Sequence, residues 1–245
     1  GAVWWSLERR YGLPIMPVSL AFLRGGDLGK VDAIVIPDAS AGALATRLGK
    51  DGADRLRRWV RDGGTLVTMG GATAWAARED VNLTSARRVG APDSTAAPDA
   101  DRDTLAARHG PAADTLLAVT SPGANHDAPE RVPGAHFDVV LDRAHWLTFG
   151  YDAPRVTVLV DGDTFLGLSR NGTNVAVFPP TGPIHRAGFI WPGNTERLLR
   201  NTVLLIHEPL GRGHVVLFAN DPMFRGWWRA LDRMVLNALV LGGTM

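Results

Sequence analysis

Val31-Asp-Ala-Ile-Val-Ile-Pro-Asp38, then Thr65-Leu-Val-Thr-Met69 running into Gly70-Gly-Ala-Thr-Ala-Trp-Ala-Ala77, is the stretch on which the reading of the fold turns. Each of the first two runs is short, apolar and β-branched, as strands buried on both faces are. Between them, Leu56, Trp59 and Val60 share one face of an arginine-rich helix that Gly63-Gly64 terminates. Gly70-Gly71 is a turn into a second helix. Strand, helix, strand, helix over residues 31–77 predicts an α/β protein with a mainly parallel sheet flanked by helices.

Upstream, Val3, Trp4, Leu7 and Tyr11 recur at helical spacing, and Gly12 stops that helix. Leu13-Pro-Ile-Met-Pro-Val-Ser19 reads as an extended edge, because its prolines cannot donate to a ladder. A helix starting at residue 2 without a leading strand predicts a fragment of a longer chain, with one sheet edge left open to self-association. Downstream, residues 84–114 are rich in Ala, Pro, Asp, Ser and Arg without a sustained period and predict a surface insertion or disordered loop. Short strands over 135–141, 155–160, 164–168 and 174–178 make a β-rich middle section. Val203 to Leu210, Gly211-Arg-Gly213 and His214 to Asn220 read as two strands joined by a glycine turn, followed by a helix from about Arg225 to Leu241. The whole is read as one domain, residues 1–245.

The 245 residues are 45% hydrophobic, enough for a sizeable core. Lys+Arg 26 against Asp+Glu 25 leaves a net charge of +1, so no global field draws in nucleic acid or an anionic membrane. Lys30 and Lys50 are the only lysines, an arginine bias read as compositional background. The absence of cysteine excludes disulfides, thiolate zinc sites, iron–sulfur clusters and a cysteine nucleophile. No apolar run reaches the roughly 18 residues of a membrane span.

Gly211-Arg-Gly-His-Val-Val-Leu-Phe-Ala-Asn-Asp-Pro-Met-Phe-Arg225 with Leu236-Asn-Ala-Leu239 resembles the end of the glutamine amidotransferase-like domain of bacterial zinc carboxypeptidase-like proteins. Gly1-Ala-Val-Trp-Trp5, Arg9 to Leu13, Val31 to Asp38, Trp59 to Val67, Pro133-Gly-Ala135 and Phe149-Gly-Tyr151 fit the same pattern in the same order. The resemblance spans roughly residues 1–82 and 131–242. It implies a class I, flavodoxin-like sheet and an upstream carboxypeptidase A-type catalytic domain as partner, in a secreted or periplasmic parent. It also implies an accessory role for this chain.

The chemistry of both families is missing from the residues. The turn matching a cysteine elbow is Met69 to Trp75, where Thr73 is the one hydroxyl and is read mainly as a helix cap. A carboxypeptidase zinc site needs His-x-x-Glu, which none of the 7 histidines begins. His126, His136 and His145 with Asp127, Asp138 and Asp142 form the densest polar cluster, a candidate metal or hydrolytic site in which His126, His136 and Asp138 are the ligand candidates. Ser121 with His126 and Asp127 is a candidate hydrolase triad. Asp99-Ala-Asp-Arg-Asp103 has the alternate-acid spacing of a calcium loop without its glycine and distal glutamate. Gly70 and Gly71 are candidate anion binders at a helix N-terminus. Trp191, Trp227 and Trp228 are candidate stacking platforms for a peptide or glycan; the last two, about 100° apart on a helix, also suit a core.

The expected function is therefore a non-catalytic structural or binding domain without cofactor. The rivals are a stand-alone esterase- or lactonase-type hydrolase and a carbohydrate- or peptidoglycan-binding module.

Overall fold

The computed structural model describes residues 1–90 and 128–245. Helix α1 (Ala2–Trp4) continues as a π-helical stretch, Trp5–Arg10, that buries Ser6 and Leu7. Gly12, at φ +68°, ends it where a side chain is disfavoured. Among the described residues Leu13 to Ser19 pairs with no strand, in place of the expected edge. Helix α2 (Leu20–Gly25) starts at Ser19, whose Oγ accepts from the Phe22 N–H. Then follow β1 (Ala33–Ile36), α3 (Ala41–Arg61), β2 (Thr65–Met69) and α4 (Gly71–Ala76), the strand–helix alternation expected of residues 31–77. Helix α3 is broken at Gly49, whose φ of 61° and ψ of −172° are not helical.

After residue 128 the chain is mostly strand: β3 (Val132–Leu141), β4 (Arg155–Gly162), β5 (Thr173–Val177) and β6 (His185–Gly188). The short helix α5 (Thr195–Leu199) leads to β7 (Val203–Leu210), β8 (Gly213–Phe218) and the last long helix, α6 (Asp232–Leu241). The sheet order is β1-β2-β8-β7-β5-β3-β4, with β6 also on β3.

This sheet corrects the expected fold class. Among the described residues only β1–β2 and β2–β8 are parallel; β7–β8, β5–β7, β3–β5, β3–β4 and β3–β6 are antiparallel. The protein is a mixed, mostly antiparallel sheet whose second half curls into a half-barrel, not a flavodoxin-like, amidotransferase-like parallel sheet. The curl has a local cause: the register slips between Val132 and Ala135, between His136 and Phe137, and twice along β5–β7. Each slip adds twist and bends its strand.

Apolar side chains fill both faces. Val67, Met69, Val216 and Phe218 lie under α1 and α6 with Phe137, Phe178 and Trp146. Leu66, Val215, Leu217 and Ile206 lie under α3 and α4 with Leu56, Val60 and Trp75. Alternate residues of β2 and β8 thus serve opposite faces, which is why these strands read as unbroken apolar runs. Residues 84–90, expected to open the insertion, are tied in. Ser85 N–H and Oγ donate to Glu208 (2.9 and 2.7 Å), Val89 N–H donates to Phe165 O (2.9 Å) and Arg88 bridges to Leu166. The acidic run Asp99 to Asp103 lies outside the described residues.

At the β7–β8 turn, a Cβ on Gly213 would collide with the Val60 and Gly64 carbonyl oxygens, both backbone. Gly213→Ala is expected to cost more than about 2 kcal/mol in chemical denaturation, whereas Gly243→Ala, with nothing near, stays within about 0.5 kcal/mol.

Candidate functional site

Two places assemble polar chemistry on the sheet. The first is the turn from β2 into α4, at the carboxyl ends of the parallel strands. Gly70 sits there at φ 54°, ψ −121°, a conformation that suits glycine. Its N–H donates to Phe218 O (3.0 Å). A Cβ on it would lie 2.5 Å from Asp38 Oδ1. The same carboxylate oxygen accepts from Gly71 N–H at 2.8 Å. Thus β1 delivers Asp38 to the spot where a side chain at position 70 would stand.

In this arrangement the Gly71 N–H that the expected anion site at Gly70 and Gly71 would use is already bonded to Asp38. Helix α4 has six residues, its first N–H is already taken by a carboxylate, and two more carboxylates, Asp161 and Asp221, lie close by. Burial raises the Asp221 pKa above the ordinary carboxylate range despite the Met223 N–H it accepts; Asp38 and Asp161 push it further up, and the N-terminal ammonium pulls it down. Thr73 is fully buried; its hydroxyl lies 2.8 Å from Thr68 Oγ1 and donates to Phe218 O at 2.7 Å. It is a strut between β2, α4 and β8, with no imidazole among its hydrogen-bond partners.

The second place is a row of three imidazoles. His145 Nε2 lies 3.0 Å from His207 Nδ1, and His207 Nε2 lies 2.9 Å from His214 Nδ1. His207 faces Val216 across the β7–β8 ladder and His214 stands two residues before Val216, so the two rings are diagonal neighbours on one face. His145 reaches them from the 3₁₀ turn Trp146–Thr148, and Trp146 packs edge-on to both.

The protons in this row have one arrangement. Leu147 N–H donates to His145 Nδ1 (3.2 Å), so neutral His145 carries its hydrogen on Nε2. That hydrogen points at His207 Nδ1, which puts the His207 hydrogen on Nε2, aimed at His214 Nδ1. The His214 hydrogen is therefore also on Nε2, and the row ends in a donor. Every Nδ1 is an occupied acceptor, so an extra proton anywhere must break a hydrogen bond. Burial, with the His214 charge adding, pushes His145 down to about 4. Burial, then His145 and His214, pushes His207 down to about 3, and burial lowers His214. The row is a neutral brace between β7, β8 and the 146–148 turn, and no ring has a basic nitrogen left for catalysis.

The described members of the expected polar cluster, His136, His145, Asp138 and Asp142, each bond or pack elsewhere. Ser121, His126 and Asp127 lie outside the described residues. His136 packs its ring 4.5 Å from Trp228, and its Nε2 is buried with no partner among the described residues. Asp138 accepts from Thr157 Oγ1 (2.8 Å) and pairs with Arg186, whose guanidinium holds its pKa below the ordinary carboxylate range. Asp142 Oδ1 takes Ala144 N–H. Among the described residues no three His, Asp or Glu side chains are grouped to hold a metal ion. Trp191 is 44% exposed, fixed by Nε1 donating to Arg131 O and edge-on to Phe189 at 4.9 Å. Trp227 and Trp228 are not helical, because α6 begins only at Asp232; Trp227 is exposed and Trp228 half-buried.

Sequence reasoning missed His207 and His214, although the signal was present. A two-residue turn at Gly211-Arg212 pairs Leu210 with Gly213, and counting back from it puts both rings on one face. It also missed Glu208, buried on the other face of β7. There Glu208 accepts from Ser85 Oγ and from Ser169 Oγ (2.5 Å), stapling residue 85 to the sheet.

No family model matches the chain, and no curated protein does. Among solved structures it is similar to the cytoplasmic protein STM1381 of Salmonella typhimurium LT2, with 18% identity, a TM-score of 0.51, and coverage of 98% of this chain and 87% of that one. The cytoplasmic protein STM3548 of Salmonella typhimurium follows at 16%, 0.50, 98% and 85%. A ThuA-like protein of Bacteroides uniformis stands at 11%, 0.49, 97% and 80%. At such identities the likeness to the two Salmonella proteins is one of fold.

Two outcomes are expected. The unfolded chain protonates histidines near pH 6.5 while the folded row resists, so stability falls as the pH drops from about 6.5 toward 3. Thermal melts should show this acid slope, and His207→Leu should flatten it while lowering stability at pH 7 by about 1–3 kcal/mol through the orphaned ring nitrogens. Gly70→Ala should cost about 1–3 kcal/mol from left-handed strain and the Asp38 contact, and Asp38→Ala in the same chain should return part of it by double-mutant cycle.

Proposed function

We propose that this chain is a non-catalytic accessory domain of a hydrolytic protein, of the zinc carboxypeptidase-like kind its sequence resembles, working by packing against a catalytic partner or presenting a binding face to it. Gly70 carries the reading. At a strand-to-helix elbow an enzyme places its nucleophile on the strained residue, with a base and oxyanion donors in reach. Here that residue has no side chain, and the space beside it holds the Asp38 carboxylate, which also takes the Gly71 N–H an oxyanion would need. The neighbouring hydroxyl, Thr73, is spent on Phe218 O, and the imidazole row ends in a donor, not a base.

The test is turnover by the purified chain, assayed on glutamine, p-nitrophenyl acetate and a blocked dipeptide with a free carboxyl end. All three should stay at the protein-free rate between pH 6 and 8. Saturable turnover of any of them would sink the reading, and its loss on Thr73→Val would move the assignment to a hydroxyl-based hydrolase.

A further inference from the structure

The N-terminal helix and the segment before α6 together build a surface of exposed aromatic rings and guanidinium groups. Trp4, Trp5 and Trp227 are 39%, 45% and 56% exposed. Arg9 lies over Trp4 (5.8 Å), Arg10 over Trp5 (4.7 Å) and Arg225 over Phe224 (4.9 Å). The two segments are contiguous: Trp5 packs on Gly226, the Arg10 guanidinium donates to Gly226 O, and the Tyr11 hydroxyl and Arg10 both reach Asp232 Oδ2. Arg229 adds a weaker pairing to the same oxygen at 3.8 Å, with 60% of its side chain exposed.

We propose that the face made by Trp4, Trp5, Arg9, Arg225, Trp227 and Arg229 docks a carboxylate-rich segment of a partner protein. Trp and Arg are the residue types that dominate binding energy at protein interfaces, and here they alternate over one exposed patch. Arg9 and Arg225 each cover one face of an aromatic ring and, among the described residues, make no hydrogen bond or ion pair, so their planar N–H edges are open, whereas those of Arg10 are spent on Gly226 O and Asp232. That presentation suits carboxylates, which accept two N–H bonds from one guanidinium, better than bases or sugar rings, which need the faces themselves.

A second observation points to the same place. Among the described residues seven buried side-chain polar atoms lack a partner, and four belong to this face or the layer under it: Ser6 Oγ, Trp228 Nε1, Asp232 Oδ1 and His136 Nε2 against Trp228. Arg225, one of three non-glycine residues with positive φ among the described residues, is held at +50°. Orphaned polar atoms and a strained backbone position thus gather beneath one exposed patch.

The inference rests on the accessory-domain reading, with separate measurements for each. A fluorescent glutamate–tyrosine copolymer titrated into the chain should bind, with affinity falling as salt rises. Trp227→Ala and Arg9→Ala should each weaken binding roughly tenfold, while Arg47→Ala on α3 leaves it unchanged; unaltered far-ultraviolet circular dichroism shows that each variant folds. Absence of binding, binding indifferent to both substitutions, or tighter binding of oligothymidylate or heparin would overturn the proposal. So would a concentration-dependent dimer in sedimentation that Trp227→Ala abolishes, since the occupant would then be a second copy. None of these outcomes touches the turnover assays, and turnover by the chain would remove the accessory reading without altering copolymer binding.

Discussion

Strand β8 is hydrogen-bonded parallel to β2 on one edge and antiparallel to β7 on the other, and the remaining architecture hangs from that switch. Its six residues are all buried, so its ladder bonds form away from water, where an unmade one is costly. The parallel edge brings in β1, α3 and α4, and with them the Gly70 turn, which is closed by the bond from Gly70 N–H to Phe218 O. The antiparallel edge brings in β7, whose alternating side chains send His207 into the imidazole row and Glu208 to the serines on the other face. The close approach of Gly213 to Val60 and Gly64 fixes where β8 starts, and hence which of its residues faces which partner.

That switch also explains how far the fold was legible. Residues 31–77 declare strand, helix, strand and helix by composition alone, and they fold so, because each element is set by neighbours close in sequence. The Gly211-Arg212 turn likewise announces a hairpin. What local pattern does not carry is which strands pair across long separations: β5 pairs with β7, and β3 with β4, β5 and β6. The expected parallel sheet extended the rule of one βαβ unit to the whole chain, whereas the bulges of β3 and β5 curl the second half the other way.

The candidate site was legible where glycine spoke for the backbone and illegible where side chains meet through pairing. Gly70 and Gly71 were singled out, but Asp38, which decides what they do, comes from β1 and is aimed at them only by the β1–β2 register. His145 was grouped with its sequence neighbours, yet its partner is 62 residues away. Trp227 and Trp228 were assigned helical spacing because apolar residues continue to Leu241, but the positive φ values of Arg225 and Gly226 break the chain before α6 starts.

Net charge conceals the last feature. A balance of +1 over the chain is the sum of unlike regions: carboxylates Asp38, Asp161 and Asp221 at the sheet's carboxyl edge, and arginines 9, 225 and 229 on the aromatic face. The two adjoin, since Asp221 leads through Met223 into Phe224 and Arg225. For the segment proposed to dock on the aromatic face, the guanidinium edges attract, and the acidic edge, whose Asp221 also lies beside the N-terminal ammonium, repels at the boundary. Within a Debye length of about 10 Å both forces act at once, so the same electrostatics that favour docking limit how far along the surface the segment can run. The direction of that limit is set by β8, because the strand that positions the acidic edge is continuous with the loop that carries the arginines.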